Sequence, residues 1–308
     1  MEQSPSVTSD SVALVKERWL GRGSWGVVYA GKLGSRPVAI KQINQLLTDE
    51  DQQRDRVIAQ FQREYKILKA AKHQHVVECI DLFREGNGVE IVMELMDQTL
   101  GTFLAANEGL LPVTKQVEIC LKLANGLQFL HQHNPQILHR DLNANNVLMN
   151  KAGDIVKISD FGQSKFRPTS KEFLTTQQPG CVPYMPPEAL VLEARFNSKG
   201  DVFSLGVLKL QIATQVAPTC GILHIGTPEI KRRKFELELL SEDHVLKPLI
   251  LQCLEDDLQA RPDAFSIYFC LTLMLTEASD VSSCGYTLFS SLNSLPAAFK
   301  HEYSKLKC

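Results

Sequence analysis

No Cys-x-x-Cys pair occurs in the sequence, and its eight cysteines, at 79, 120, 181, 220, 253, 270, 284 and 308, are scattered. That pattern excludes a zinc ribbon and a disulfide-stapled secreted scaffold, and leaves reduced thiols of the cytosol. Net charge is nearly absent as well: 33 Lys and Arg stand against 35 Asp and Glu. No global field therefore draws the chain to nucleic acid or to an anionic membrane, and a polyanion must be met by local groups. A membrane-length apolar run is also missing. The apolar stretch "AFSIYFCLTLMLT", residues 264–276, is too short to span a hydrocarbon core and reads as a buried helix. The opening "MEQSPSVTSDS" has neither the apolar centre of a signal peptide nor the arginines of a presequence, so residues 1–12 are expected to form a disordered tail. Internal repeats and low-complexity linkers are absent. These absences point to a cytoplasmic protein without a membrane span.

What is present is an ordinary globular composition, 44% hydrophobic and 22% charged over 308 residues, enough for one large domain or two lobes. From 18 to 43 the runs "RWL", "VVYAGKL" and "PVAIKQI" alternate with turn residues and predict strands. From 48 to 70 the period changes to that of a helix, with Val57, Phe61 and Leu68 on one face. "HVVECIDLF" and "VEIVMELM", joined by "REGNG", predict a hairpin. Beyond Asp97 the chain reads as mostly helical, the clearest segments being 113–133, 199–215 and the runs from 235 to 276. The expected fold class is α+β: a small antiparallel β lobe with one helix over 13–96, a larger, mainly helical lobe over 97–278, and a tail over 279–308. Two such lobes would leave a cleft beside "MELM".

The glycines of "GRGSWG", Gly21, Gly23 and Gly26, fit G-x-G-x-x-G, a pattern shared with dinucleotide sites. In a dinucleotide site a helix follows the glycines, whereas here Val27, Val28 and Tyr29 continue as a strand. The overlapping "GVVYAGKL" nearly matches a P-loop, but Leu33 stands where a magnesium-binding hydroxyl is needed and no helix follows. What remains is a glycine hairpin whose backbone amides can close over phosphates. Lys41 ends the run "VAIK". Helical spacing puts Glu64 among Val57, Phe61 and Leu68, where a carboxylate needs a partner, and Lys41 is the predicted one.

The stretch "ILHRDLNANNVLM", residues 137–149, sets six polar side chains between aliphatic flanks. His139, Arg140, Asp141, Leu142 and Asn146 match H-R-D-L-x-x-x-N, "ISDFG" supplies Asp160, Phe161 and Gly162, and "YMPPEAL" retains Pro187 and Glu188. "SKGDVFSLGV" offers Ser198 and Asp201 as an S-x-x-D helix start, and "ARPD" stands at 260–263. With VAIK and the glycine hairpin in order from 20 to 262, the chain resembles the eukaryotic protein kinases, and the resemblance implies Arg261 as the ion-pair partner of Glu188. Asn143, Asn145 and Tyr184 stand at or near places where tyrosine kinases carry arginine and tryptophan. The resemblance is therefore to the tyrosine-kinase-like branch of serine/threonine kinases.

The resemblance implies the two-lobed kinase fold, ATP and Mg²⁺ as cofactors, and protein substrates bearing serine or threonine. It implies Asp141, Lys41 and Glu64 as catalytic residues, with Asp141 accepting or orienting the hydroxyl proton, and Asn146 and Asp160 as metal ligands. It implies nucleotide contacts at Leu20, Gly21, Gly23, Gly26, Val28, Ala39, Lys41, Met93, Glu94, Met96 and Leu148. Two departures are coupled. Asn143 stands where most serine/threonine kinases have a lysine on the γ-phosphate, and Cys181 replaces a threonine whose hydroxyl contacts the aspartate and that lysine. The expectation is a slower enzyme, with a pseudokinase scaffold or a dual-specificity kinase as the alternatives. Arg140 suggests control by phosphorylation of the segment 160–188, at Thr169, Ser170, Thr175 or Thr176. "KRRK", residues 231–234, reads as a solvated helix face, with a nuclear signal or a substrate-docking patch as the alternatives.

Overall fold

β-Branched and aromatic side chains suit a pleated, half-buried surface, and the early runs rich in them form strands. In the computed structural model β1 (Leu14–Arg22), β2 (Gly26–Leu33), β3 (Arg36–Ile43), β4 (Cys79–Glu85) and β5 (Gly88–Glu94) make one five-stranded antiparallel sheet, ordered β1-β2-β3-β5-β4. The structure describes residues 13–22, 26–43, 51–85, 88–167, 173–174, 181–190, 195–219 and 234–280. Gly23, the four hydroxyl residues proposed for phosphorylation, residues 231–233 and the tail beyond 280 lie outside them. β1 starts earlier than its aromatic run suggests, because Leu14 is already in register with Leu33.

Val38, Ile40 and Val92 face one side of the sheet and are fully buried, with Leu14, Leu33, Ile80 and Phe83 packed around them. The two-residue period then sends Ala39, Lys41 and Ile43 to the other face. Helix α1 (Asp51–Ala70) buries Val57, Phe61, Glu64 and Leu68, the stripe expected from its spacing. Gly26 is required by packing: a Cβ there would lie 2.6 Å from the Gln42 carbonyl oxygen and 2.9 Å from the Phe61 ring. At Gly21 a Cβ would meet nothing within 4 Å, so the sheet itself does not require that glycine.

The chain divides into two compact units, one made of the residues up to Ala70 with Glu78–Met96, the other of Ala71–Val77 with everything from Asp97. The hairpin is therefore shorter than its sequence suggests. Ala71–Val77 leaves the sheet, and its Val77 amide bonds Ile158 O while the Ile158 amide bonds His75 O, both at 2.9 Å. An alternating apolar pattern states that a segment pairs, without stating with which strand.

The second unit contains α2 (Leu100–Ala106), α3 (Val113–Gln132), α4 (Ser198–Thr214), α5 (Lys234–Glu238), α6 (Lys247–Cys253) and α7 (Ala264–Asp280). Short strands β6 (Gln98–Thr99), β8 (Val147–Met149) and β9 (Val156–Ile158) form one sheet, and β7 (Gln136–Leu138) pairs with β10 (Lys165–Arg167). Every residue of α4 from Gly200 to Thr214 is buried, the mark of a helix at the centre of a core. α7 is less enclosed than its composition suggests. It buries one face, Ala264, Ile267, Cys270 and Leu271, at helical spacing. The cap of α4 is Asn197, which accepts from the Lys199 amide at 2.8 Å, so the helix starts one residue before the S-x-x-D reading and Asp201 is released for another task. Among the described residues no helix is long and apolar enough to cross a membrane.

Candidate active site

In the first unit, Lys41 of β3 donates to both Glu64 carboxylate oxygens, at 2.7 and 2.9 Å. Both side chains are nearly sealed from water, at 5% and 1% exposure, so each needs the other, and the Lys41 Nζ also lies 5.8 Å from the Phe61 ring centroid. The sheet register sets Val28 opposite Lys41 and Ala39 opposite Met93. Leu20 and Gly21 lie on β1, with Gly21 paired to Val28. Glu94 ends β5, where its carboxylate accepts from the Glu78 amide at 2.6 Å, and Met96 follows half-buried.

In the second unit the motif 139–146 forms a loop between β7 and β8, and its main chain is pinned from below. Asp201 accepts from the His139 amide at 2.9 Å, the Arg140 amide at 2.7 Å and the His131 ring at 2.9 Å. Burial alone would push the Asp201 carboxyl up; the hydrogen bond of His131, the electrostatic influence of His131 and His139, and the Arg140 amide together hold it below the usual carboxylate range. The His139 Nδ1 accepts from the Asp141 amide at 3.3 Å, which puts the ring proton on Nε2, 2.9 Å from Ser159 O. Phe161 is fully buried with its ring edge-on to His139, centroids 5.0 Å apart.

Asp141 is gripped on every side. Its Oδ1 accepts from the Asn143 amide nitrogen and from the Cys181 main-chain amide, both at 2.9 Å, and its Oδ2 from Asn146 Nδ2 at 3.0 Å. Burial is the main cause that raises the Asp141 carboxyl above its usual value; Asp160 pushes the same way, against His139, the Cys181 amide and Asn143. The Asn143 Oδ1 accepts from the Asn145 amide at 2.9 Å and the Asn146 amide at 3.3 Å. Cys181 lacks the hydroxyl of a threonine, yet position 181 still contacts Asp141, through its main chain.

Asp160 and Arg140 both adopt left-handed backbone, φ 57° and 69°, a conformation worth roughly 1–3 kcal/mol of strain in residues with a Cβ. The Asp160 carboxylate accepts from the Gly162 amide at 3.2 Å. Among the described residues no group of three or more His, Cys, Asp or Glu could hold a metal. The donors offered by Asn146 and Asp160 are one amide oxygen and one carboxylate. That hard, incomplete oxygen set suits Mg²⁺ that takes its other ligands from water and phosphate. Leu148 lies on β8 between Thr99 and Lys157 in register.

Arg140 is buried, its Nε without a hydrogen-bond partner among the described residues, its guanidinium 5.6 Å from the Phe196 ring. Arg261 donates to both Glu188 oxygens, at 2.8 and 2.9 Å, as its sequence context suggested.

The model of the protein kinase domain matches residues 14–269. The chain belongs to the protein kinase family. Its fold is the two-lobed kinase fold, with the antiparallel sheet and α1 in the small lobe and the helical bundle in the large one. This kinase is 33% identical, over 68% of its length, to a G-type lectin S-receptor-like serine/threonine-protein kinase of Arabidopsis thaliana, of which it spans 25%. It is 30% identical over 85% of its length to mitogen-activated protein kinase kinase kinase 1a of Physcomitrium patens, spanning 34% of it. A dual specificity protein kinase of Dictyostelium discoideum is 29% identical over 91% of the chain, which spans 39% of that protein.

The sequence reading of the kinase missed His131, which carries no motif and is identifiable only by its place on α3 above Asp201. It placed Asp201 in the first turn of a helix, where it lies, but missed its bonds to the loop; the apolar Val202, Phe203 and Leu205 that follow were the available signal that this turn is buried.

Proposed function

We propose that this kinase transfers the γ-phosphoryl group of ATP to serine or threonine hydroxyls of proteins. The observation that carries the reading is the Asp141 carboxylate, half-buried and fixed by three N–H donors within 3.0 Å beside a loop of oxygen ligands. A carboxylate held this way can orient a substrate hydroxyl and accept its proton as the oxygen attacks the phosphorus. Lys41, aligned by Glu64, neutralises phosphate oxygens of the donor nucleotide. Val28, Ala39, Met93 and Leu148 supply apolar surface to adenine, main-chain groups from Glu94 to Met96 its hydrogen bonds, and Leu20 and the glycine hairpin cover the phosphates. Asn146 and Asp160 hold Mg²⁺, which when bound offsets the charge of the β- and γ-phosphates. Catalysis is positioning plus charge stabilisation.

The serine/threonine assignment is supported by Asn143 and Tyr184 and by the serine/threonine-protein kinase names among the relatives. Dual specificity is the second reading, favoured by the Dictyostelium relative. Turnover is slower than with a lysine at 143, because no cation in residues 142–146 meets the transferred group. The buried Nε of Arg140 supports control by a phosphoryl group on the segment 160–188. A cytoplasmic site of action fits the reduced cysteines.

The test is phosphate transfer from labelled ATP to a peptide array and to the kinase itself, with and without Mg²⁺, and with Asp141→Asn and Lys41→Met as controls. Metal-dependent labelling of serine and threonine, lost in both variants, is expected. Labelled tyrosine establishes the second reading. Nucleotide binding without transfer in wild type means a scaffold and refutes the proposal. Phosphatase treatment that leaves the rate unchanged removes the role given to Arg140.

A further inference from the structure

Lys209 is the residue of α4 that the kinase reaction does not explain. It is fully buried, between the buried Leu208 and Leu210, in a helix enclosed on all sides. Among the described residues its Nζ has one hydrogen-bond partner, the Sγ of Cys253 on α6 at 3.4 Å, and no carboxylate in ion-pair reach. Cys253 is itself fully buried. A third group, Cys120 of α3, is also fully buried and close enough to interact electrostatically with both. Burial pushes the Cys120 thiol up to about 12, so it remains protonated and gives the amine no counter-charge.

A lysine in a core usually has a carboxylate, because an unpaired buried ammonium is among the most expensive groups a fold can enclose. Here a nitrogen nucleophile faces an oxidisable sulfur instead, with water excluded and competing external thiols kept out. We propose that Lys209 and Cys253 form a covalent redox site, in which dioxygen joins Nζ to Sγ through a single bridging oxygen atom.

The step balances as follows in atoms and electrons. Nζ and Sγ each lose one hydrogen and two electrons. One atom of dioxygen becomes the N–O–S bridge, and the other leaves as water with the two hydrogens. Two equivalents of a dithiol reductant reverse it, returning the amine and the thiol, releasing the bridging oxygen as water and leaving two intramolecular disulfides in the reagent. Dioxygen is small and apolar, and reaches the pair through the local openings that a packed core undergoes. The bridge ties α4 to α6 across 44 residues of sequence, restricting the unfolded chain as a disulfide does and raising the unfolding midpoint.

The site is read by mass spectrometry on the whole chain, without an activity assay. Wild-type protein is kept either anaerobic with dithiothreitol or in air-saturated buffer, denatured, alkylated and digested with an endoprotease that does not cut at lysine. The expected product in air is a cross-linked pair of peptides carrying Lys209 and Cys253, heavier than their sum by one oxygen and lighter by two hydrogens. It disappears on dithiothreitol treatment, is absent from Lys209→Met and Cys253→Ala, and persists in Cys120→Ala. Since the wild-type measurement needs no variant to fold, a misfolded substitution does not blunt the test. Three results overturn the proposal: Cys253 recovered fully alkylated from the aerated sample, Cys253 joined to Cys120 as a disulfide, or Cys253 oxidised to a sulfinic or sulfonic acid with Lys209 unmodified.

Discussion

Asn143 touches the Asp141 carboxylate at 2.9 Å with its amide nitrogen while its amide oxygen takes the main-chain N–H groups of Asn145 and Asn146. One side chain thus fixes both the proposed proton acceptor and the turn that carries the proposed magnesium ligand. A lysine ammonium could donate to Asp141 but has no acceptor for the two amides. The residue that lacks a cation is therefore well suited to hold the loop, and turnover and rigidity make opposite demands on position 143.

Replacing Asn143 by lysine should accordingly move rate and stability in opposite directions. The added charge meets the phosphoryl group in the transition state, and one decade of rate corresponds to about 1.4 kcal/mol. The two main-chain amides lose their acceptor, at a cost of about 1–2 kcal/mol in stability. Turnover at saturating ATP is expected to rise roughly tenfold, with a lower urea midpoint. An unchanged or lower rate would mean that another cation already serves the site.

The same contact predicts a pH effect. Asp141 is raised above the usual aspartate value, and the reacting form is the carboxylate, so the rate is full above the raised pKa and is lost as pH falls through it. The acid limb of kcat/KM should therefore lie above the ordinary aspartate range. Asn143 is one of the groups lowering that pKa, so Asn143→Ala should move the limb further up, whereas Asn143→Lys, bringing a positive charge, should move it down. Limbs that coincide in all three proteins would show that Asp141 is not the group being titrated.

How much of this could be read from the sequence depends on how far apart the partners lie and whether a short-range pattern names them. Glu64 was legible because helical spacing put a carboxylate among Val57, Phe61 and Leu68, and the lysine of VAIK offered the matching charge. Arg261 and Glu188 were legible only through the family pattern. Asp201 was placed at its helix start but its hold on the loop was missed, because an acid three residues into a helix already has a local explanation in the helix dipole, while its three donors come from residues 131 to 140. Residues 75–77 were read into the hairpin because alternation does not record that Val76 bridges Ile158. The Asn143 loop was legible in composition alone; which of its amide atoms donates and which accepts is set by the fold.

Arg261 and Glu188 give a stability prediction. The arginine side chain is wholly enclosed and the glutamate keeps 19% exposure. Removing the carboxylate leaves a buried cation, so Glu188→Ala should cost about 3 kcal/mol. Arg261 also donates to the carbonyls of Glu255 at 2.7 Å and Lys199 at 3.1 Å and lies 5.0 Å from the Phe203 ring, so Arg261→Met should cost more. The double variant should be more stable than the sum of the two losses predicts. Urea unfolding of the four proteins gives the coupling, and strict additivity would show that the pair contributes nothing.

Asp201 sets the acid stability of the loop. Its carboxyl is held below the usual range, so the stabilisation it provides is fully present above the unfolded-state pKa and is lost as pH falls through the lower, folded value. Asn at this position offers one acceptor oxygen to donors that now use two, and its amide nitrogen would face another N–H. Asp201→Asn should therefore unfold about 3 kcal/mol more easily at neutral pH. Its urea midpoint should also fall less steeply than that of wild type as pH is lowered through the aspartate range. Hydrogen exchange provides the local readout: the His139 and Arg140 amides, protected in wild type by Asp201 at 2.9 and 2.7 Å, should exchange faster in the variant. Equal protection in both proteins would mean that packing around Phe161, not the buried carboxylate, holds the 139–146 loop in place.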